Sequence, residues 1–372
     1  MIETVKLGDV AIVKGGKRLP KGTNLITTPN SHPYIRVRDL NNQSTLELND
    51  DFEYVDDETQ KSISRYIVEA GDIVLSIVGT IGLVAIIGES LHKANLTENC
   101  VKLTQLDGVD RDYLYYFLKS GLGQAEIAKG TVGAVQAKLP IKNIQNIDVI
   151  LPDIETQKRI SSILRSIDEK ISTNQKINDN LQQQAQVIYT AMFITNADPA
   201  WVRGRLSDLI TVKYGKDHKK LADGAYPVFG SGGIMRYVER PLYTGESVLI
   251  PRKGTLNNVM YVNEPFWSVD TMFFTEMKIL NVAKFVFHFV KAKDLASMNA
   301  GSAVPSMTTD ILNAMELALP SAERLAEFES VVAPMYQAMQ ANNRESAKLA
   351  ELRDALLPKL MSGEIDVSSI QI

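Results

Sequence analysis

Basic residues set among glycines are where this sequence could do chemistry. Gly15-Gly-Lys-Arg-Leu-Pro-Lys-Gly22 carries Lys17, Arg18 and Lys21, and Arg36-Val-Arg38 follows closely. Farther along, Lys213-Tyr-Gly-Lys-Asp-His-Lys-Lys220 repeats the theme with Lys216, Lys219 and Lys220. Tyr226-Pro-Val-Phe-Gly-Ser-Gly-Gly-Ile-Met-Arg-Tyr237 is glycine-rich around Ser231 and ends on Arg236 and Tyr237. Pro251-Arg-Lys-Gly-Thr-Leu-Asn-Asn258 sets Arg252, Lys253 and Asn257 about a turn. Lysine and arginine reach phosphates and guanine edges, and asparagine reads adenine. Glycine lets backbone amides approach a phosphate. Taken singly, each loop reads as a solvated turn; their recurrence along the chain makes these residues candidate DNA contacts.

Catalytic sets are not visible. Neither nucleotide-binding glycine fingerprint is present, and Gly230-Ser-Gly-Gly233 does not match a nucleophile elbow. His32, His92, His218 and His288 are far apart in sequence, and Cys100 is the only cysteine, which excludes a disulfide framework and a cysteine-rich zinc site. His288 sits in the apolar run Phe285–Val290 and reads as structural. Pro152-Asp-Ile-Glu-Thr-Gln-Lys158 faintly resembles a nuclease motif, but the gap is too short and the lysine one position late. Asp198-Pro-Ala-Trp201 lacks the second proline of an adenine-methyltransferase motif. We read the first as a helix cap and the second as a linker. No metal site is expected.

The elements that must position these loops come from a chain of 372 residues, 45% hydrophobic and 23% charged, ordinary for a globular protein. No uncharged apolar run reaches the roughly 18–20 residues a membrane helix needs. The N-terminus has neither a basic start nor an apolar core, so a cytoplasmic protein is expected. The net charge of −4 argues mildly against nucleic-acid binding, but it averages over patches. Ile12 to Leu40 holds six basic residues and one acid, whereas Glu47 to Glu58 holds seven acids and no base.

The sequence is written twice. Leu7-Gly-Asp-Val-Ala-Ile-Val-Lys-Gly-Gly-Lys17 aligns with Leu206-Ser-Asp-Leu-Ile-Thr-Val-Lys-Tyr-Gly-Lys216, and Gly71-Asp-Ile-Val-Leu75 with Gly245-Glu-Ser-Val-Leu249. Gly79-Thr80 and Gly254-Thr255 follow, then Gly130-Thr131 and Gly301-Ser302. Ile147-Asp-Val-Ile-Leu-Pro152 aligns with Met315-Glu-Leu-Ala-Leu-Pro320. The copies differ most after Lys17 and Lys216, a sensible location for specificity.

Each copy closes with a long helical pattern. Asp153 and Ser321 are suited to cap the two helices. Apolar residues recur at Ile160, Ile163, Ile167, Ile171, Ile177, Leu181 and Ile188, and at Leu325, Phe328, Val332, Met335, Met339, Leu349, Leu356 and Leu360. Steps of three and four are those of a coiled-coil seam, interrupted by Asn174 and Asn342, residues that fix register in such seams. We expect the helices to pack on each other through Ile167, Ile171, Asn174 and Leu181 and through Met335, Met339, Asn342 and Leu349. Ahead of them, strands are expected over 73–77, 84–87, 147–151, 247–250, 259–262 and 315–319, with one helix per copy at 111–120 and 283–293.

At this point the chain resembles the specificity subunit of a type I restriction–modification system. The carrying residues are Leu7-Gly-Asp9 and Leu206-Ser-Asp208, Leu151-Pro152 with Glu155-Thr-Gln157, Leu319-Pro320 with Glu323, Tyr226–Gly233, Arg252-Lys-Gly-Thr255, Ser268-Val-Asp-Thr271 and the closing Leu356–Ile365. Leu325 departs from the pattern, standing where the first copy has Gln157. The resemblance implies an α+β protein: two target-recognition domains of mixed structure, separated by two long antiparallel coiled-coil helices in a pseudo-two-fold repeat. It implies a first domain over 1–152, a helix over 153–197, a second domain over 198–320, a helix over 321–362 and a tail over 363–372. Each domain would read half of a bipartite double-stranded DNA site. Two methyltransferase subunits and, later, motor/endonuclease subunits would be the partners. S-adenosylmethionine and ATP would be bound by those partners, with no cofactor and no catalysis on this chain. Alternatives are the specificity subunit of a type IIB system, a coiled-coil scaffold binding only protein, and a free-standing enzyme.

Overall fold

A computed structural model describes residues 3–40, 44–133, 136–298, 306–368 and 370. The Gly301-Ser302 step lies outside the described residues. The chain forms two compact units, Met1–Lys176 with Asn342–Ile372, and Ile177–Ala341. Their boundaries fall within the two long helices, because each unit buries part of both helices in its own core.

The first unit runs β1 (Glu3–Lys6), α1 (Leu7–Val10), β2 (Ile12–Gly15), β3 (Pro33–Ile35), β4 (Thr45–Leu46), β5 (Glu53–Tyr54), α2 (Asp57–Ile63), β6 (Ile73–Ser76), β7 (Val84–Ile87), β8 (Asn95–Leu96) and β9 (Cys100–Thr104). Then come α3 (Arg111–Lys119), α4 (Gly121–Gly130), α5 (Ile141–Gln145), β10 (Asp148–Leu151) and α6 (Ile154–Thr190). The main sheet has the order β2-β9-β6-β7-β4, a second the order β5-β3-β8, and β1 pairs with β10. Residues 73–75 of β6 and all of β7 are apolar because both sheet faces are covered. Successive side chains alternate between faces: Ile73 and Leu75 meet α3 in one core, while Val74 enters another with Ile35, Leu46 and Ile87.

The helix expected over 111–120 is found as α3, and a second, α4, follows it directly. Ser120 adopts an extended conformation (φ −67°, ψ 162°), which ends α3, and the Gly123 N–H donates to its hydroxyl, which starts α4. Asp153 caps α6 by accepting from the Thr156 N–H at 3.0 Å. The seam follows Ile160, Leu164, Ile167, Asn174 and Asn178, all buried, with Ile171 half-buried between them. Ile177, expected in the seam, is 43% exposed, because the 3–4 rhythm passes through its neighbours Asn174 and Asn178. Within this unit α6 runs antiparallel to the 342–361 stretch of the C-terminal helix. Asp168 accepts from Arg353 at 2.7 Å, and Asn174 Nδ2 donates to Glu345 and Ser346 and, at 3.4 Å, to the Asn342 carbonyl. Leu349 is half-buried here. Leu360, Met361 and Val367 complete the core.

The second unit repeats this plan. Its elements are a wider helical turn continuing α6 (Ala191–Thr195), β11 (Arg203–Arg205), α7 (Leu206–Leu209), β12 (Ile210–Tyr214), β13 (Tyr226–Gly230), β14 (Gly233–Val238), β15 (Ser247–Pro251), β16 (Met260–Val262), β17 (Trp267–Ser268) and β18 (Met272–Met277). There follow α8 (Ala283–Lys291), α9 (Thr309–Asn313), β19 (Glu316–Ala318) and α10 (Ala322–Met361). Sheet order β12-β18-β15-β16 mirrors β2-β9-β6-β7, β14-β13-β17 mirrors β5-β3-β8, and β11–β19 mirrors β1–β10. The pairings β3–β8 and β13–β17 are both parallel. The first unit's longer stretch after Lys17 supplies β4 and α2, which have no counterpart in the second.

In this unit Ser321 caps α10, accepting from the Arg324 N–H. Met335 and Met339 pack half-buried against the core, Leu181 is half-buried, and Asn178 Nδ2 donates to the Met339 carbonyl. Leu325, buried in this core, replaces the polar tie made by Gln157, which accepts from the Asp110 N–H and donates to the Pro152 carbonyl. His288 is fully buried between Gln186 and the Tyr336 hydroxyl, and burial pushes its pKa down to about 4, so it is neutral.

Candidate nucleic-acid interface

In each unit the glycine loops are pinned by one set of backbone bonds. The Gly16 and Lys17 N–H groups donate to the carbonyls of Cys100 and Leu96; those of Gly215 and Lys216 donate to Met272 and Ser268. A Cβ on Gly16 or Gly215 would overlap a carbonyl oxygen, of Thr97 or of Val269, so both positions exclude every side chain. The Ile77 N–H donates to the Asn99 carbonyl at 2.8 Å, and the Arg252 N–H to the Thr271 carbonyl at 2.9 Å. Two residues on, Gly79 and Gly254 take φ +80° and +84° and turn the chain back. Each unit therefore presents three neighbouring segments on one frame. In the first they are 16–18, 78–80 and 97–99; in the second, 215–217, 253–255 and 269–271.

In the first unit a cleft of about 490 Å³ is lined by Val37, Val78, Gly79, Asn99, Gln136 and Ala137. A second of about 370 Å³ shares Val37 and Asn99 with it and is bordered by Arg18, Tyr34, Arg36, Arg38 and Glu98. The arginines here are not free. Arg18 pairs with Glu98 at 2.6 Å. Arg36 is half-buried between Asp39 and Glu53, and Arg38 shares Glu53 at 3.2 Å. Burial pushes the Glu98 carboxyl up, but its bonds with Arg18 and neighbouring groups hold it below the usual carboxylate range. Three guanidinium groups thus face three carboxylates, and the acidic stretch 47–58 contributes Glu53. Lys17, over the Tyr66 ring at 5.4 Å, and Lys21 are exposed beside them.

In the second unit Lys216, Lys219, Lys220 and Lys253 are exposed. Arg252 bonds the Asp270 carbonyl and lies 5.5 Å from the Tyr214 ring centroid. Ser231 is held beside this turn by Asn258, which donates to its carbonyl at 2.8 Å. Tyr237 is half exposed on β14. Arg236 and Asn257 are engaged internally. Arg236 binds the Leu221 carbonyl and Asp223, and Asn257 bridges Asp294 and the Ala296 N–H. The structure thus gathers Ser231, Arg252 and Lys253 at one turn and ties Arg36, Arg236 and Asn257 into the fold.

Five polar residues that line the first unit's clefts carried no signal in the sequence: Tyr34, Thr97, Glu98, Asn99 and Gln136. Leu96–Cys100 and Ser268–Met272 share no residue at matching positions, so only the shared backbone bonds reveal them as counterparts. Buried Cys100, its thiol pushed up to about 12, is unreactive. Among the described residues no group of three His, Cys, Asp or Glu gathers as a metal site, and no helix is long and apolar enough to cross a membrane.

A family model described as "Type I restriction modification DNA specificity domain" matches residues 2–183 and 200–328. The type I restriction enzyme MjaIX specificity subunit of Methanocaldococcus jannaschii is 22% identical over 91% of this chain and 88% of its own. The EcoprrI specificity subunit of Escherichia coli is 33% identical over 27% of this chain and 25% of its own. The crystal structure of the type I restriction–modification system S subunit from M. genitalium shares the fold, with a TM-score of 0.60 at 17% identity over 97% of this chain and 96% of that one.

Proposed function

The chain belongs to the type I restriction–modification DNA specificity family, and from that premise we propose that it reads a bipartite double-stranded DNA site, one half-site for each of its two units. The observation that carries this reading is the duplicated loop frame: the same backbone bonds at Gly16 and Gly215 and at Asn99 and Thr271, under different side chains. A constant frame with variable tips suits two readers of unequal half-sites. Exposed Lys17, Lys21, Lys216, Lys219, Lys220 and Lys253 would contact phosphates, which position a protein without carrying sequence information.

The chain would itself catalyse nothing. Two methyltransferase subunits would dock along the long helices and supply S-adenosylmethionine-dependent transfer to adenine, and motor/endonuclease subunits would bring ATP. The 37-residue α6 is about 55 Å long and α10, at 40 residues, about 60 Å. Such helices are long enough to set the spacing of half-sites more than one DNA turn apart, a turn being about 34–36 Å.

Exchanging residues 1–150 for those of another specificity subunit tests the reading. Methylated adenines are then mapped in a host carrying the chimaera and its partners. The expected result is a change in one half-site only; a change in both, or in neither, refutes it.

A further inference from the structure

We infer that Asn99, in the cleft of the first unit, is a specificity-determining residue that pairs with an adenine edge in that unit's half-site; the inference rests on the DNA-reading function proposed above. The other groups that border the cleft are apolar or already engaged. Arg18, Arg36 and Arg38 each already bind a carboxylate, which competes with a base for the guanidinium group. Tyr34 donates its hydroxyl to the Lys17 carbonyl. Thr97 donates its hydroxyl to Glu98, which is itself bound to Arg18, and Val37, Val78, Gly79 and Ala137 bring no side-chain polar group. What remains is two carboxamides, Asn99 and Gln136, both lining the cleft and neither hydrogen-bonded through its side chain to any described residue.

Of the two, Asn99 is the better held. Its carbonyl accepts from the Ile77 N–H, the Cys100 N–H donates to the Thr97 carbonyl two residues before Asn99, and the Thr97 N–H donates to the Ile35 carbonyl. The backbone is therefore fixed on both sides of a half-buried side chain that borders the cleft with no hydrogen bond to a described residue. A carboxamide presents the pair of groups that adenine N7 and N6 require. The first and second units carry Asn99 and Thr271 on matching backbone bonds, so the frame accepts a different reading group at this position.

The test uses the full chain and a pool of randomised DNA duplexes, from which bound sequences are selected and read. The native chain is expected to enrich two half-sites. In Asn99→Thr, which installs the side chain that the equivalent position of the second unit already carries, adenine preference at one position falls by roughly 5- to 150-fold. The other half-site and the thermal midpoint stay unchanged. In Asn99→Asp the preference at that position moves to cytosine, whose N4 amine donates to a carboxylate. Native and variant chains enriching the same sequence overturns the inference while leaving the DNA-reading function intact, as does a uniform loss of affinity across all sequences, the mark of a phosphate contact. A native chain that enriches no sequence overturns both.

Discussion

Lys284 is 3% exposed and is held between two carboxylates. Its ammonium donates to Glu246 at 2.8 Å and Glu329 at 2.6 Å and lies 5.1 and 5.6 Å from the ring centroids of Tyr261 and Tyr336. The Tyr261 hydroxyl also donates to Glu246, whereas Glu329 Oε2 is buried with no other partner. In Lys284→Met the apolar stem is retained and two carboxylates lose their counter-ion. Breaking a buried pair from one side costs about 3–5 kcal/mol. At about 2–4 °C per kcal/mol for 150–250 residues, the midpoint of this unit's unfolding falls by roughly 6–20 °C. Both tryptophans of the chain, Trp201 and Trp267, lie in this unit, so tryptophan fluorescence in the full-length protein follows its unfolding selectively.

The pH dependence has a definite sign. Burial pushes the Glu246 carboxyl up, but Lys284 and Tyr261 outweigh it and hold it below the ordinary range. A carboxyl depressed in the folded state contributes stability above its unfolded pKa, and that stability is lost as pH falls through the folded value. Without Lys284 only the Tyr261 hydroxyl still opposes burial and the folded carboxyl rises, so the variant loses less stability than the native chain as pH falls. The gap between native and variant is therefore smaller at about pH 5 than at about pH 7.5. Adding Glu246→Gln and Glu329→Gln restores more than half of the loss, because the stranded charges are gone. An unchanged midpoint in the single variant, or a gap that widens on acidification, refutes the reasoning.

Three further outcomes are expected. Lys219→Ala with Lys220→Ala lowers the slope of log affinity against log salt by about 1.8 without altering the selected sequence; an unchanged slope removes both lysines from the phosphate contacts. Gly16→Ala destabilises the protein by about 1–3 kcal/mol, since the backbone must move away from the Thr97 carbonyl, and a native-like melting curve would contradict the close approach described. Deleting one matched heptad from both α6 and α10 shortens the recognised spacer by about three base pairs, 10.5 Å at 1.5 Å per residue; mapped methylation sites with the original spacer rule out helix length as the ruler.

Periodicity made the helices and the repeat legible. The 3–4 spacing survives in the sequence, so α6 and α10 were located to within a few residues, and the Gly-Thr pairs that matched between the copies fall at equivalent turns, with Gly79 and Gly254 both at positive φ. Ile177 shows where the same signal fails: two asparagines hold the seam, and the nearest apolar residue draws the eye. Charge was the weaker guide. Arg36 and Arg38 read as DNA-facing because their partner Glu53 stands some 15 residues away in a stretch that looks separately acidic. The frame around Asn99 could not be read at all, since backbone hydrogen bonds leave little trace in side-chain identity.

The way the two units are cut from the chain bears on the order in which they can be completed during synthesis. Residues 177–341 are contiguous, and every described residue of that unit's core has been made once Tyr336 has emerged from the ribosome. The unit that begins at the N-terminus still lacks Leu360, Met361 and Val367 from its own core at that moment. The half translated first is thus the half finished last. A nascent chain that has emerged only a little beyond Tyr336 would hold a complete second unit while the apolar surface of the first awaits Leu360, Met361 and Val367, the kind of exposure that invites aggregation.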